Sequence, residues 1–340
     1  MFKRALSVLF VLAILVSLVA GCASSATTAA PASTTAAAAA AQPAASETQA
    51  AKKLVVGFSQ MENNMPWRIA ETNSIREEAA KRGIELVYTD AQSQTAKQVS
   101  DVEDMIAQGV DYILLAPREE EGLAPALAAA KAAGIPVILI DRAAKGEAGV
   151  DYVTLIASDF IEEGKRTAQW IIDNHGTKGN IVVLEGTQGA SAATERQIGF
   201  EEVMKNYPDM KIIAQQTADF TRADGQKVME NFIQAHGKNI NFVYAHNDEM
   251  AIGAIQAIKA AGMVPGKDII LTSIDGEKDA LQAIIAGELG VSVECSPFFG
   301  PIAFDTIAKL EAGEKVPTFI KNEDRLFDAT NAEEFVNSAF

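Results

Sequence analysis

Carboxylates, guanidinium groups and flat rings recur at one kind of place along this 340-residue chain, just after a short apolar run. Pro66-Trp67-Arg68 follow the run 54–58, Asp90 follows 84–88, and Asp141-Arg142 close the run 137–140. In the second half Glu185, Arg196, Asp219-Phe220, Asn247-Asp248, Asp275 and Glu294 stand after successive runs of the same type. Such a set suits a polyol. Carboxylate and amide oxygens accept from hydroxyls, arginine donates through a fixed fork, and an aromatic face covers the C–H side of a ring. Asp141 beside Arg142 reads as a mutually supporting ion pair.

Other chemistries have weaker support. Two carboxylates in one cleft would also serve a glycosidase, which needs a protonated acid and a base or nucleophile. Gly186-Thr187-Gln188-Gly189 lacks both the Lys-Ser/Thr of a phosphate-binding loop and the spacing of a dinucleotide fingerprint. No Gly-x-Ser-x-Gly elbow is present. The two cysteines, Cys22 and Cys295, and the histidines His175, His236 and His246 have no metal-ligand spacing. No metal and no cofactor is expected. A formal charge of −16 argues against nucleic acid as a partner, because counterion release requires a basic face.

The elements that must position these residues alternate regularly. Buried strands are expected over 54–58, 84–88, 112–115, 137–140 and 153–156, with helices over 67–82, 96–108 and 122–133 between them. After Ala157 the alternation restarts. Helices over 160–174, 191–205, 222–236, 248–261 and 278–286 are interleaved with strands at 180–184, 211–216, 241–244, 269–273 and 290–294. Continuous apolar strands with crossover helices form parallel sheets covered on both faces. Two such runs predict an α/β protein of two doubly wound, Rossmann-like lobes, with a closed (β/α)₈ barrel as the competing architecture. Ligands of open α/β sheets lie beyond the carboxyl ends of the strands, which is where the unusual residues stand.

The first 52 residues read differently. Lys3 and Arg4 precede the apolar run 5–20, as in an export signal. Leu18-Val19-Ala20-Gly21-Cys22 looks like a bacterial lipobox, in which Cys22 takes a diacylglyceryl thioether after cleavage at Gly21. An uncleaved membrane helix is the competing reading, although the run is short for a span. The Ala-, Ser-, Thr- and Pro-rich stretch that follows has no large apolar side chains to bury and reads as a flexible tether. The expected organisation is a signal over 1–21, a lipidated tether over 22–52, one lobe from 53–157 with 296–320, and a second from 158–295 with 321–340.

At Gly57-Phe58-Ser59-Gln60, Trp67-Arg68-Ile69-Ala70-Glu71-Thr72-Asn73, Ala218-Asp219-Phe220-Thr221-Arg222 and Tyr244-Ala245-His246-Asn247-Asp248, the chain resembles the periplasmic sugar-binding proteins of ABC transporters. The resemblance is to the ribose-binding type, and within it to the galactofuranose binders. It implies the type I periplasmic binding protein fold, with two lobes on a three-strand hinge that close over the ligand. Trp67 then corresponds to the ring that stacks on the sugar, and Asp141 and Arg142 to the first-lobe pair on the ring hydroxyls. Arg196, Asn247, Asp275 and Glu294 correspond to second-lobe or hinge ligands, and Phe220 to an aromatic wall. Arg68 replaces a second aromatic of the ribose pattern, Met65 and Ala116 replace two asparagines, and Glu294 replaces a glutamine. These departures disfavour ribose and favour a furanose of the galactofuranose type, with Asp90 as a further acceptor.

Plainer roles compete. Trp67 could open a helix, Asp141 and Arg142 could form a loop ion pair, and Asn247 and Asp275 could cap helices. Asp90 could be a turn residue, and Cys295 a small core residue. The expected protein is a non-enzymatic, extracytoplasmic lipoprotein that captures a monosaccharide for an ABC permease and its ATPase, acting as a monomer and touching the membrane through its lipid alone. The alternative is a sugar or autoinducer receptor that signals through a membrane sensor.

Overall fold

A computed structural model describes residues 53–340. The readings on 1–52, including the signal, Cys22 and the tether, lie outside the described residues.

The chain runs β1 (Val55–Gln60), α1 (Pro66–Arg82), β2 (Glu85–Asp90), α2 (Thr95–Gln108), β3 (Tyr112–Leu115), α3 (Ala124–Ala133), β4 (Val137–Ile140) and β5 (Thr154–Ala157). It continues through α4 (Phe160–His175), β6 (Gly179–Glu185), α5 (Ser191–Met204), β7 (Met210–Thr217), α6 (Arg222–His236), β8 (Phe242–Ala245) and α7 (Asp248–Ala260). Then come β9 (Ile270–Asp275), α8 (Lys278–Ile285), β10 (Val291–Glu294), α9 (Gly300–Glu311), β11 (Phe319–Lys321), β12 (Leu326–Asp328) and α10 (Ala332–Phe335).

Two six-stranded sheets result, ordered β11-β5-β4-β3-β1-β2 and β12-β10-β9-β8-β6-β7. Apart from the last-added edge strand, each follows one scheme: the second strand lies outside the first, and the rest follow on the other side. Every named pair is parallel except β10 with β12. Strands such as β3 and β4 are buried along their whole length, as apolar runs covered by helices on both faces must be. The architecture is therefore two doubly wound lobes and not a barrel.

The chain passes between the lobes three times, from β5 to α4, from β10 to α9 and from β11 to β12. β11 and β12 are three-residue strands with mixed exposure, so no apolar run marks them in the sequence. Their hydrogen bonds to β5 and β10 make them strands.

Candidate functional site

One cavity lies between the lobes at the carboxyl ends of the strands. Trp67, Arg68, Asp141 and Arg142 of the first lobe line it together with Arg196, Phe220, Asn247 and Asp275 of the second. Met65, Ala192 and Cys295 complete the wall.

α1 sets the first-lobe side. Pro66 opens the helix, since a first-turn residue needs no N–H partner, and the next two residues are Trp67 and Arg68. Both are buried. Trp67 Nε1 donates to the Cys295 carbonyl at 2.7 Å. The Arg68 guanidinium lies 4.6 Å from the centre of the Trp67 ring. Its Nη1 donates to Glu71 Oε2 at 2.8 Å and its Nη2 to Asp141 Oδ2 at 2.5 Å. Burial opposes the charge of Arg68, but Asp141 and Glu71 outweigh it and raise its pKa.

Asp141 directly follows β4 with φ of 64°, a conformation unusual outside glycine, and turns the chain into the cleft. Arg68 is its close partner, because Arg142 Nε stands 3.4 Å from Asp141 Oδ2 and makes no hydrogen bond there. Arg142 instead donates through Nη1 to the Arg118 carbonyl at 3.1 Å, with Met61 Sδ at the same distance. Burial and the neighbouring Arg68 charge lower its pKa to about 10. The expected Asp141–Arg142 ion pair is thus present at 3.4 Å without a hydrogen bond, and Arg68 is the closer partner of Asp141, which leaves Arg142 as the least satisfied guanidinium of the three.

On the second-lobe side Arg196 projects from α5. Its Nε donates to Glu163 Oε2 at 2.7 Å and its Nη1 to the His246 carbonyl at 2.6 Å. Its Nη2 reaches Asp275 Oδ1 at 3.4 Å. Asp275 ends β9 at φ of 137°, and burial raises its pKa well above the usual carboxylate range despite Arg196. Asp219 and Phe220 are both left-handed, with φ of 50° and 61°, which turns the Phe220 ring into the cleft. Gly186 makes room for it, since a Cβ there would sit 2.0 Å from the ring. Asn247 does two jobs. Its Oδ1 caps α7 by accepting from Met250 N at 3.0 Å, and its Nδ2 donates to the Phe220 carbonyl at 3.1 Å.

The lobes touch around this cavity. Arg142 lies 5.0 Å from the centre of the Phe220 ring. Glu120 N donates to the Gly189 carbonyl at 2.9 Å, and Ala143 N to Ser191 Oγ at 3.0 Å. The cavity has a volume of about 20 Å³, room for about one water molecule. It is a closed cleft, lined by fixed donors, acceptors and two aromatic faces.

Residues 56–315 match the periplasmic binding protein domain. The chain belongs to the periplasmic binding protein family. The galactofuranose-binding protein YtfQ of Escherichia coli (strain K12) is 47% identical over 277 residues, 81% of this chain and 87% of that one. The periplasmic component of the arabinose ABC transporter from Shewanella sp. ANA-3, bound to α- and β-L-arabinofuranose, superposes with a TM-score of 0.81 at 42% identity. That match covers 84% of this chain and 95% of the other. A Mycobacterium smegmatis structure in complex with β-D-fucofuranose gives 0.80 at 41% identity, covering 84% and 94%. This periplasmic binding protein is a solute-binding protein and not an enzyme, and its family implies a place outside the cytoplasmic membrane. Among the described residues no helix is long and apolar enough to cross a membrane.

Of the expected ligand contacts, Asp90 and Glu294 are not brought to the cavity of this binding protein, and neither are Glu185, Asp219 and Asp248 of the wider strand-end set. Asp90 ends β2, the edge strand, and its Oδ1 accepts from Gln92 N at 2.8 Å, which makes it a turn residue. Glu294 is taken up by Arg325, whose N, Nε and Nη2 donate to its carboxylate at 2.9, 2.7 and 2.6 Å. That arginine, on the third crossing, explains an acid where the ribose pattern has an amide.

Two side chains went unremarked for the site. Glu71 and Glu163 hold Arg68 and Arg196 from behind, and Gln60 Nε2 donates to Glu71 Oε2 at 2.8 Å. The i,i+3 spacing of Arg68 and Glu71 on a predicted helix was the available signal. Glu163 had none, since it meets Arg196 only through the packing of α4 on α5. Cys295 is buried, as a core residue would be, and it also forms part of the cavity wall.

Proposed function

We propose that this binding protein captures a monosaccharide in its furanose form between the two lobes and delivers it to an ABC permease. The observation that carries this is the convergence of Asp141, Arg142, Arg196 and Asp275 on one cavity flanked by Trp67 and Phe220, with both lobes contributing. Carboxylates and guanidinium forks serve hydroxyls, and the two rings serve the C–H faces of a small ring. The three relatives above bear names or ligands of galactofuranose, L-arabinofuranose and D-fucofuranose. A five-membered ring is what they share. The cavity is too small to admit a sugar as it stands, so entry requires the lobes to part and binding favours their closure. The closed form presents both lobe surfaces to the permease and its ATPase. Lipidation at Cys22 and the 23–52 tether would keep the protein at the membrane, and Cys22→Ser would abolish incorporation of labelled lipid.

The test is a thermal-shift and calorimetric panel with D-galactose, L-arabinose, D-fucose and D-ribose. A ring-locked pair, 1,4-anhydro- and 1,5-anhydro-D-galactitol, completes it. A ligand specific to the native state raises the melting midpoint with concentration. Stabilisation by one or more of the first three sugars, and by the 1,4-anhydro compound over the 1,5, is expected. Preference for the 1,5-anhydro ring would overturn the furanose reading, and no response to any sugar would overturn the whole.

A further inference from the structure

The two lobes carry the same arrangement behind their ligand faces. In the first, Glu71 Oε2 accepts from Arg68 Nη1 at 2.8 Å, and Arg68 Nη2 reaches Asp141 at 2.5 Å. In the second, Glu163 Oε2 accepts from Arg196 Nε at 2.7 Å, and Arg196 Nη2 reaches Asp275 at 3.4 Å. Both aspartates have positive φ at the carboxyl end of a strand, Asp275 as the last residue of β9 and Asp141 directly after β4, and both line the cavity, whereas neither glutamate does. Both glutamates are buried, and in both the second oxygen, Oε1, has no hydrogen-bond partner. A one-sided buried carboxylate is an expensive way to stabilise a fold, because an apolar residue would fill the space without desolvation cost. It is an effective way to fix a long, flexible arginine in one rotamer.

We infer that Glu71 and Glu163 are positioning residues of the binding site, each locking from behind the guanidinium that orients a ligand-facing aspartate. This rests on the sugar-binding reading above. Glu71 is faced by Arg68 from its own helix, Gln60 from the end of β1, Tyr88 from β2 and Asp141 just after β4. Glu163 is faced by Arg196 from α5, by Asp275 at the end of β9, by Tyr244 on β8, by Cys295 after β10 and by Asp324 on the third crossing. Burial pushes Glu71 up to about 6 and Glu163 up to about 7. Both clamps therefore lose charge, and grip, as pH falls from 8 to 5.5.

The test uses the full chain with Glu71→Gln and Glu163→Gln, singly and together, and two readouts. The first is affinity for D-galactose or L-arabinose, whichever binds the wild type more tightly, at pH 8 and pH 5.5. Each variant should bind at least tenfold more weakly at pH 8. The double variant should show less pH dependence than the wild type, with apo melting temperatures at or above the wild-type value. The second readout needs no ligand. In ¹⁵N-arginine-labelled apo protein the Arg68 Nη–H and Arg196 Nε–H resonances should exchange slowly with water, and each should exchange at least tenfold faster in the variant lacking its glutamate. Unchanged affinity in a wild type that binds sugar overturns the inference, and so does a lowered melting temperature with an unmoved pH profile. A wild type that binds neither sugar overturns the sugar-binding reading, and the exchange rates then decide the inference alone: unchanged rates overturn it, faster rates support it.

Discussion

Trp67 Nε1 donates to the carbonyl of Cys295 at 2.7 Å, so the ring at the cleft face of the first lobe is tied to the second hinge crossing. Stacking surface and hinge therefore share one residue. Trp67→Ala removes both and should weaken sugar binding by roughly 1–3 kcal/mol. Trp67→Phe keeps a flat face but leaves the Cys295 carbonyl without its donor, a net loss of about 1 kcal/mol in apo stability. Calorimetric titration and thermal melts of the two variants separate the roles. Equal affinity in Trp67→Ala would remove this ring from the site.

Two cleft arginines, Arg68 and Arg142, should respond differently to replacement. Arg68 is the sole guanidinium hydrogen-bonded to Asp141 and Glu71, so Arg68→Met leaves Glu71 with Gln60 and Asp141 with the longer ion pair to Arg142, two undercompensated buried carboxylates, and should cost about 3–5 kcal/mol of stability. Arg142 makes no hydrogen bond to a carboxylate. Arg142→Lys should leave the apo melting temperature near wild type and cost about tenfold in affinity, or ~1.4 kcal/mol, through loss of the planar fork. Denaturant melts and titrations of both variants check this. A fold damaged equally by the two changes would contradict the pairing described.

Much of the fold was legible in the sequence, because a doubly wound sheet writes each strand as a continuous apolar run and each crossover as an amphipathic one. The lining of the candidate site was legible where polar or aromatic residues interrupt that rhythm after strand ends, as at Asp141, Phe220 and Asp275. What stayed hidden depends on contacts between distant segments. Glu294 stands at a strand end like the others, but Arg325, 31 residues away, captures it. Asp90 carries the same signature on an edge strand, which is one strand further from the cleft. Glu163 is one polar residue among several on α4, and only helix packing makes it a partner of Arg196.

That packing depends on two glycines. A Cβ on Gly164 would lie 2.2 Å from the Arg196 carbonyl oxygen, and one on Gly199 would lie 2.0 Å from that of Ile161. Backbone cannot yield as a side-chain tip can, so Gly164→Ala must push α4 off α5. We expect a loss of about 1–3 kcal/mol in stability, together with weaker sugar binding as Glu163 draws away from Arg196. Gly313→Ala serves as the control, being at a helix end where a Cβ meets nothing within 4 Å, although its φ of 74° brings a modest strain of its own. Denaturant unfolding of the two variants, with a sugar titration of each, decides the point; a Gly164→Ala protein with wild-type stability and affinity would contradict it.

Stability should rise on mild acidification. Burial lifts Glu71, Asp248 and Asp324 to about 6 and Glu163 to about 7, against unfolded values near 4. Between those limits the folded chain binds protons that the unfolded chain does not, so stability falls as pH climbs through 6–7 and returns below it. His246, held near 3 by burial and by Arg196, and His175, also lowered by burial, work in the opposite direction below their unfolded value of about 6.5, and the four carboxyls outnumber them. The apo melting temperature should therefore be higher at pH 5.5 than at pH 8, checked by calorimetric scans in buffers of matched ionic strength. A flat or falling profile over that range would show that these carboxyls ionise freely in the folded state.

A crystal structure of the protein with the tightest-binding sugar of the panel tests the central claim most directly. The account predicts a five-membered ring between Trp67 and Phe220, with hydroxyls hydrogen-bonded to Asp141 and Arg142 from one lobe and to Arg196 and Asp275 from the other. A six-membered ring, a sugar held by one lobe alone, or a sugar bound outside this cleft would contradict it.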